Sequence, residues 1–142
     1  MQRIKPIQHI NATVTVPGSK SYTQRALIAA ALADGRSVIR GALISEDTRY
    51  LIGALRQMGA AIEREASTLS VDGMNGRPVA PSERIVMGNN GTGLRLLTSM
   101  AALCAGTVII DGSARMRQRP IQPLIDALCM LGVDAECLHG NG

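Results

Sequence analysis

The chain of 142 residues has no Phe, no Trp and only two Tyr. Any core must therefore be built from Leu, Ile, Val, Ala and Met, and a hydrophobic fraction of 46% supplies enough of them for one domain. The same lack removes the stacking platforms on which single-stranded nucleic acids are usually held. The net charge of +4 is moderate and, apart from Arg115, Arg117 and Arg119, unclustered. That suits a small acidic ligand, and no nucleic-acid partner is expected. Two histidines, His9 and His139, lie far apart and give no metal constellation. None of the three cysteines forms a C-x-x-C pair; Cys104 and Cys129 fall in apolar helical runs and read as small core residues in a reducing compartment. No apolar run reaches membrane-spanning length, and no secretory leader is visible at Met1-Gln2-Arg3. A soluble cytoplasmic protein with no membrane partner is expected.

What is present is organised around Pro17-Gly18-Ser19-Lys20-Ser21-Tyr22-Thr23-Gln24-Arg25. A strand over 12–16 runs into a Pro-Gly turn, and a helix begins near Ser21 with Ala26, Leu27, Ala30 and Ala33 on its apolar side. Ser19 and Ser21 are both candidate N-caps, since a hydroxyl there accepts from an otherwise unpaired helix amide. The start of a helix favours a bound anion, because its amides and the positive dipole end point outward. Lys20 adds a charge there, and Arg25, one turn on, adds a fork suited to phosphate or carboxylate. A capped surface helix carrying two solvated cations is the plainer alternative. A Walker-type loop is excluded: it would need glycines at 14 and 19, where the chain has Val14 and Ser19.

Further along, a short strand over 4–8, broken by Pro6, is expected. Another strand over 37–43 follows the helix stop at Asp34-Gly35. Ser45-Glu46-Asp47 reads as the cap and acidic first turn of a second helix. That helix has Leu51, Ile52 and Leu55 inward and ends at Gly59. Residues 60–64 and 68–72 alternate like paired strands, and 73–82 read as a loop. Then the pattern restarts. A strand over 84–87 leads into Gly88-Asn89-Asn90-Gly91-Thr92-Gly93-Leu94-Arg95 and a helix reaching Cys104. Gly18 and Arg25 recur as Gly88 and Arg95, and Val38-Ile39 as Val108-Ile109. Leu51-Ile52, Ala54-Leu55, Gly59 and Glu63 recur as Leu124-Ile125, Ala127-Leu128, Gly132 and Glu136. The implied fold class is α/β (α+β), built from a β-α-β-α-β-β unit occurring about twice. The first unit covers 17–82. The second covers 83–142 and is incomplete, its third strand at 133–138 having no partner before the chain stops. The chain is therefore expected to be part of a longer protein. Within the second unit, Arg115, Arg117 and Arg119 lie between a strand and a helix that Pro120 can open; one or two of these arginines are expected to point into a site.

These residues resemble the enolpyruvyl transferase family. Pro17-Gly18-Ser19-Lys20-Ser21 with Arg25 is similar to its P-G-S-K-S-x-x-x-R signature. Gly88-Asn89-x-Gly91-Thr92-x-x-Arg95 is similar to G-N-A-G-T-x-x-R, and Arg115-Met116 with Arg119-Pro120 to R-M-x-x-R-P. The resemblance implies an inverse α/β barrel of two globules, each of three such units, with the site in the cleft between them. This chain would supply about a third of that, and the leading strands within 1–16 would pair with the absent globule. The likeness is strongest to the branch serving aromatic amino acid (chorismate) biosynthesis in the shikimate pathway. That reaction moves the enolpyruvyl group of phosphoenolpyruvate to shikimate 3-phosphate through a tetrahedral intermediate. It releases phosphate and needs no cofactor or metal. Carried over by motif, Lys20, Ser21 and Arg25 would hold shikimate 3-phosphate, and Lys20, Gly91 and Arg115 would hold phosphoenolpyruvate. Asn89 and Arg95 would play lesser parts, and Asp47 would cap a helix. No catalytic acid or base is expected in this portion, since the family draws those from the other globule. The chain alone would be inactive, and the remainder of the enzyme would be its partner in a protein that is monomeric at full length. Two alternatives remain: a non-catalytic anion-binding or assembly module of this fold, and a UDP-N-acetylglucosamine enolpyruvyl transferase. The latter usually carries a Cys in the loop matching 111–120, where this chain has none. The chain departs from the family pattern at Gln24 (usually Asn or His), Asn90 (Ala), Gly93 (Ala or Thr) and Leu96 (Pro).

Overall fold

Ser19 settles where the first helix begins. In the computed structural model, which describes residues 6 and 8–138, its backbone is extended and its hydroxyl accepts from Tyr22 N, starting α1 (Lys20–Leu32). Of the two candidate caps, Ser19 is the one used. α1 leads through Gly35 into β1 (Arg36–Ile39), followed by α2 (Glu46–Gln57), β2 (Ala61–Glu65) and β3 (Thr68–Asp72). Then come β4 (Ile85–Val86), α3 (Gly91–Ala101), β5 (Ile110–Asp111), a 3-10 turn at Met116–Gln118 and α4 (Gln122–Met130).

β1, β3 and β2 form an antiparallel sheet in that order, with Arg36 opposite Asp72 and Ile39 opposite Leu69 on one side of β3, and Ala61 opposite Asp72 on the other. Alternation along β3 sends Leu69 and Val71 inward, and Ile62 does the same on β2, so one face packs on the helices. β4 and β5 pair in parallel as a second, two-stranded sheet. α1, α2 and α3 pack on one another, and the core between them and the sheets is aliphatic: Leu27, Leu51, Leu55, Met58, Leu69, Val71, Ile85, Met87 and Leu97 are fully or almost fully buried. Each such side chain contributes about 1.5–3 kcal/mol on leaving water. The carboxyl end of α1 is closed by the chain leaving β3. Amides of Met74, Asn75 and Gly76 donate to the carbonyls of Ala31, Ala33 and Leu32, satisfying acceptors the helix cannot. Gly73 allows that approach, since a Cβ there would collide with Ala33 O.

Several expectations need correction. Residues 12–16 form no strand; Val14 and Val16 are both 77% exposed and have no sheet neighbour among the described residues to pair with. The strand expected over 4–8 lies largely outside the described residues. β1 stops at Ile39, because Gly41 turns with a positive φ of 67° before the chain reaches residue 43. β4 and β5 hold only two residues each, and the recurrence at Val108-Ile109 falls just before β5. α3 ends at Ala101, three residues short of Cys104. α4 is opened by Pro123 in its first turn, not by Pro120, which lies before the Ile121 cap. Residues 133–138 contain no strand among the described residues. Cys104 is only half-buried, with its thiol pKa pushed up by burial, and Cys129 is exposed, donating to Ala135 O at 3.2 Å.

Candidate anion-binding site

The buried polar side chains among the described residues are Thr23, Gln24, Thr48 and Asn90, and all four lie at the amino ends of helices. Polar groups persist in a core only where partners or function hold them, so this end of the helix cluster is the place to look. Thr23 Oγ1 donates to Ser19 O (2.8 Å) and accepts from Leu43 N (3.0 Å). Thr48 Oγ1 donates to Leu43 O (2.9 Å) and accepts from Ser45 N (2.8 Å) in a reciprocal capping box with Ser45. Peptide groups at residue 43 are thus clamped between α1 and α2. Gly18 packs on the same stretch, where a Cβ would collide with Gly41 O and stand 3.0 Å from Leu43 N.

Asp47 is the junction. Its carboxylate Oδ2 receives Lys20 Nζ at 2.6 Å, and its backbone oxygen receives Asn90 Nδ2 at 2.8 Å. Lys20 is the first residue of α1, Asp47 the second of α2 and Asn90 the N-cap of α3. The amino ends of three helices therefore meet around one residue. Their first amides have no intrahelical acceptor, and their dipoles add at the meeting point. Glu46 and Asp47 offset part of that field at α2. The expected capping role of Asp47 is overturned, because Ser45 is the cap and leaves the Asp47 carboxylate to Lys20.

Asn90 accepts from Gly93 N at 2.9 Å, which fixes the start of α3, and Gly91 follows as its first residue. The Gly91 amide leans on Asn89 O at 3.1 Å. Gly88 takes a positive φ of 57° and leaves no room for a Cβ beside the Tyr50 ring. The arginine loop is seated on this turn: Ser113 N donates to Gly88 O at 2.7 Å, and Arg95 Nη2 donates to Pro120 O. Arg117 is drawn off by a bidentate pair with Asp111 (2.8 and 2.7 Å), which Arg84 approaches at 3.5 Å. The Arg117 hydrogen bonds hold the Asp111 carboxyl at a pKa of about 2, helped by Gly112 N–H and opposed by burial. Arg119 stands over Gly91, its Nη1 within 2.5 Å of where a Cβ on that residue would sit.

The expected residues are therefore distributed unevenly. Lys20, Gly91, Asn89 and Arg95 lie in one connected network. Arg115 heads the 3-10 turn on the same loop with an exposed side chain. Ser21 and Arg25 are exposed on α1, where Arg25 Nη1 leans back on Ser21 O at 3.3 Å. Sequence reasoning missed Asn90, Asp47 and Arg119 as the groups joining the loops. An Asn just before a helix start was the available signal for the first; the other two depend on contacts across the fold. Among the described residues no helix is long and apolar enough to cross a membrane, and no His, Cys, Asp and Glu cluster suits a metal ion.

Comparison with known proteins identifies the family. The family model of EPSP synthase (3-phosphoshikimate 1-carboxyvinyltransferase) matches residues 4–142. The chain is 45% identical over 139 residues to the 3-phosphoshikimate 1-carboxyvinyltransferase of Syntrophobacter fumaroxidans, covering 98% of this chain and 33% of that one. It is 47% identical over 137 residues to that of Rhizobium etli, covering 96% and 33%. The solved EPSP synthase of Acinetobacter baumannii superimposes with a TM-score of 0.81 at 31% identity, over 85% of this chain and 28% of that one. The chain spans about a third of the length of the curated relatives it matches, and its α/β fold matches that of the solved EPSP synthase. With a family model running from residue 4 to residue 142 and the motif loops joined at Asp47, the chain belongs to the EPSP synthase (3-phosphoshikimate 1-carboxyvinyltransferase) family.

Proposed function

We propose that this chain supplies part of the substrate site of a 3-phosphoshikimate 1-carboxyvinyltransferase. That enzyme passes the enolpyruvyl group of phosphoenolpyruvate to the 5-hydroxyl of shikimate 3-phosphate and releases phosphate. The observation that carries the reading is the meeting of three helix amino ends at Asp47, with Lys20 at the junction. Both substrates are polyanions and repel each other. A preorganised cluster of amides and cations offsets that repulsion and stabilises the charge that develops during transfer. Lys20 belongs to the first loop and serves both substrates, its ammonium offering them the N–H donors that Asp47 leaves free. Ser21 and Arg25 hold shikimate 3-phosphate; the Gly91 backbone and Arg115 hold phosphoenolpyruvate, with Arg119 close by. Asn89 and Arg95 act indirectly, Arg95 by tethering the arginine loop at Pro120.

In this reading residues 17–82 and 83–142 belong to two β-α-β-α-β-β units, the first present as α1-β1-α2-β2-β3 and the second incomplete at its end, and 1–16 pair with a second globule. The helix–strand–helix order of α1–β1–α2, repeated by α3–β5–α4, supports the duplication. The acid and base of the reaction come from the rest of the enzyme, a cytoplasmic monomer, so the 142-residue chain by itself turns over no substrate. Titration calorimetry of shikimate 3-phosphate into the chain is the test. Lys20→Ala is expected to weaken binding about tenfold or more at nearly unchanged stability, because an ion pair exposed like this one contributes about 0–1 kcal/mol. Equal affinity of the two proteins would overturn the reading.

A further inference from the structure

We propose that Asn90 is a positioning residue. It ties the second loop to the first and so favours a ligand that bridges them over one held by the first loop alone. The inference rests on the site reading above. Capping α3 requires only an acceptor, and Asn90 Oδ1 provides it to Gly93 N at 2.9 Å. Ser, Thr or Asp could do the same. What the carboxamide adds is a second polar atom, an NH2 donor separate from the capping oxygen, and Nδ2 uses it on Asp47 O at 2.8 Å. The side chain is completely buried, so neither bond is shared with solvent. The fit depends on Gly93. A Cβ there would collide with Asn90 Nδ2 and stand only 2.8 Å from Cγ and 3.0 Å from Oδ1. Asn90 and Gly93 are one device: the larger residue reaches across because the smaller one leaves it room.

The device spans the site. Gly91 is covalently next to Asn90, and the Asp47 residue that Nδ2 grips holds Lys20 Nζ by its carboxylate at 2.6 Å. The positions of the Gly91 backbone and the Lys20 ammonium are thus set relative to each other through two hydrogen bonds. Phosphoenolpyruvate, which touches both, depends on that spacing. Shikimate 3-phosphate, held by Lys20, Ser21 and Arg25 at the start of α1, does not.

The test compares the unsubstituted chain with Asn90→Ser, Gly93→Ala and the double variant. Asn90→Ser keeps a capping oxygen and removes the Nδ2 arm that reaches Asp47 O. Calorimetry is expected to show phosphoenolpyruvate, titrated with shikimate 3-phosphate present, bound about tenfold more weakly by Asn90→Ser. The affinity for shikimate 3-phosphate alone should change by less than roughly twofold. Gly93→Ala is expected to lower the melting temperature by roughly 5 °C or more, and that loss should largely vanish when Asn90 is already Ser. Equal weakening of both ligands, or none, overturns the positioning role. A Gly93→Ala loss undiminished in the double variant overturns the packing pair that the role needs. If the unsubstituted chain binds neither ligand, the site reading falls and takes this inference with it.

Discussion

The two motif loops look alike in sequence and are held in place by different means. The first, Pro17–Arg25, is fixed from outside: Gly18 lies against the Gly41 backbone, and Thr23 grips Ser19 O and Leu43 N. Its cap, Ser19, is an exposed hydroxyl 3.4 Å from Tyr22 N. The second, Gly88–Arg95, is fixed from inside by one buried side chain, Asn90, which caps α3 and reaches to Asp47. The difference shows that a shared sequence pattern does not require a shared anchor. A backbone approach tolerates nothing larger than glycine, whereas a side-chain tether can be exchanged if its neighbour changes with it.

The largest effect should come from breaking the outer anchor. Gly18→Ala forces a methyl group into Gly41 O, a backbone atom with no flexible end to move, and is expected to cost about 2–3 kcal/mol in denaturant unfolding. A change within error would mean that the first loop is not seated as described. Next is Gln24, whose side chain is fully buried with neither amide atom partnered among the described residues. Replacing it by Met removes that desolvation and should stabilise the chain by about 1–2 kcal/mol. Loss of stability instead would reveal a partner for the amide and make the first loop, like the second, one held from inside.

A smaller, pH-dependent effect probes the arginine loop seated on the second anchor. The Asp111 carboxyl titrates at about 2 in the fold, held down by Arg117, against about 3.9 when unfolded. A lowered pKa contributes stability that is fully present above about pH 5. It is lost as the pH falls through the unfolded value toward about 2. Asp111→Asn should therefore cost on the order of 1 kcal/mol at neutral pH, after allowance for solvent screening, with the gap to the parent closing in acid. Melting curves at neutral pH and near the lower limit check it; a constant gap would assign the loss to something other than ionisation. The smallest effect belongs to the exposed cap. Ser19→Ala should cost about 0.5–1 kcal/mol, and a loss as large as that for Gly18→Ala would erase the contrast drawn here.

Legibility followed the range of the interactions. Ser45 was readable as a cap because its partner Thr48 is three residues away, and the hairpin of β2 and β3 because alternation and a two-residue turn are local. The strand expected over 12–16 failed because alternation says that a segment can pair, not that a neighbour is present. Cys129 failed for a related reason: an apolar helical run is buried only where another element covers it, and at that point of α4 none does among the described residues. Lys20 was placed at a helix start correctly, but its bond to a residue 27 positions on was invisible.

By itself the sequence determined the order of helices and strands around the core, the aliphatic character of that core and the location of the motif loops. Those features follow from residue types interacting over a few positions. Only the tertiary structure decided that three helix beginnings meet, that Asp47 is shared between Lys20 and Asn90, and that Arg119 rather than Arg117 stands by Gly91. The reason is geometric. Such contacts join residues tens of positions apart, and their distances are fixed by how the elements pack, which no local pattern encodes.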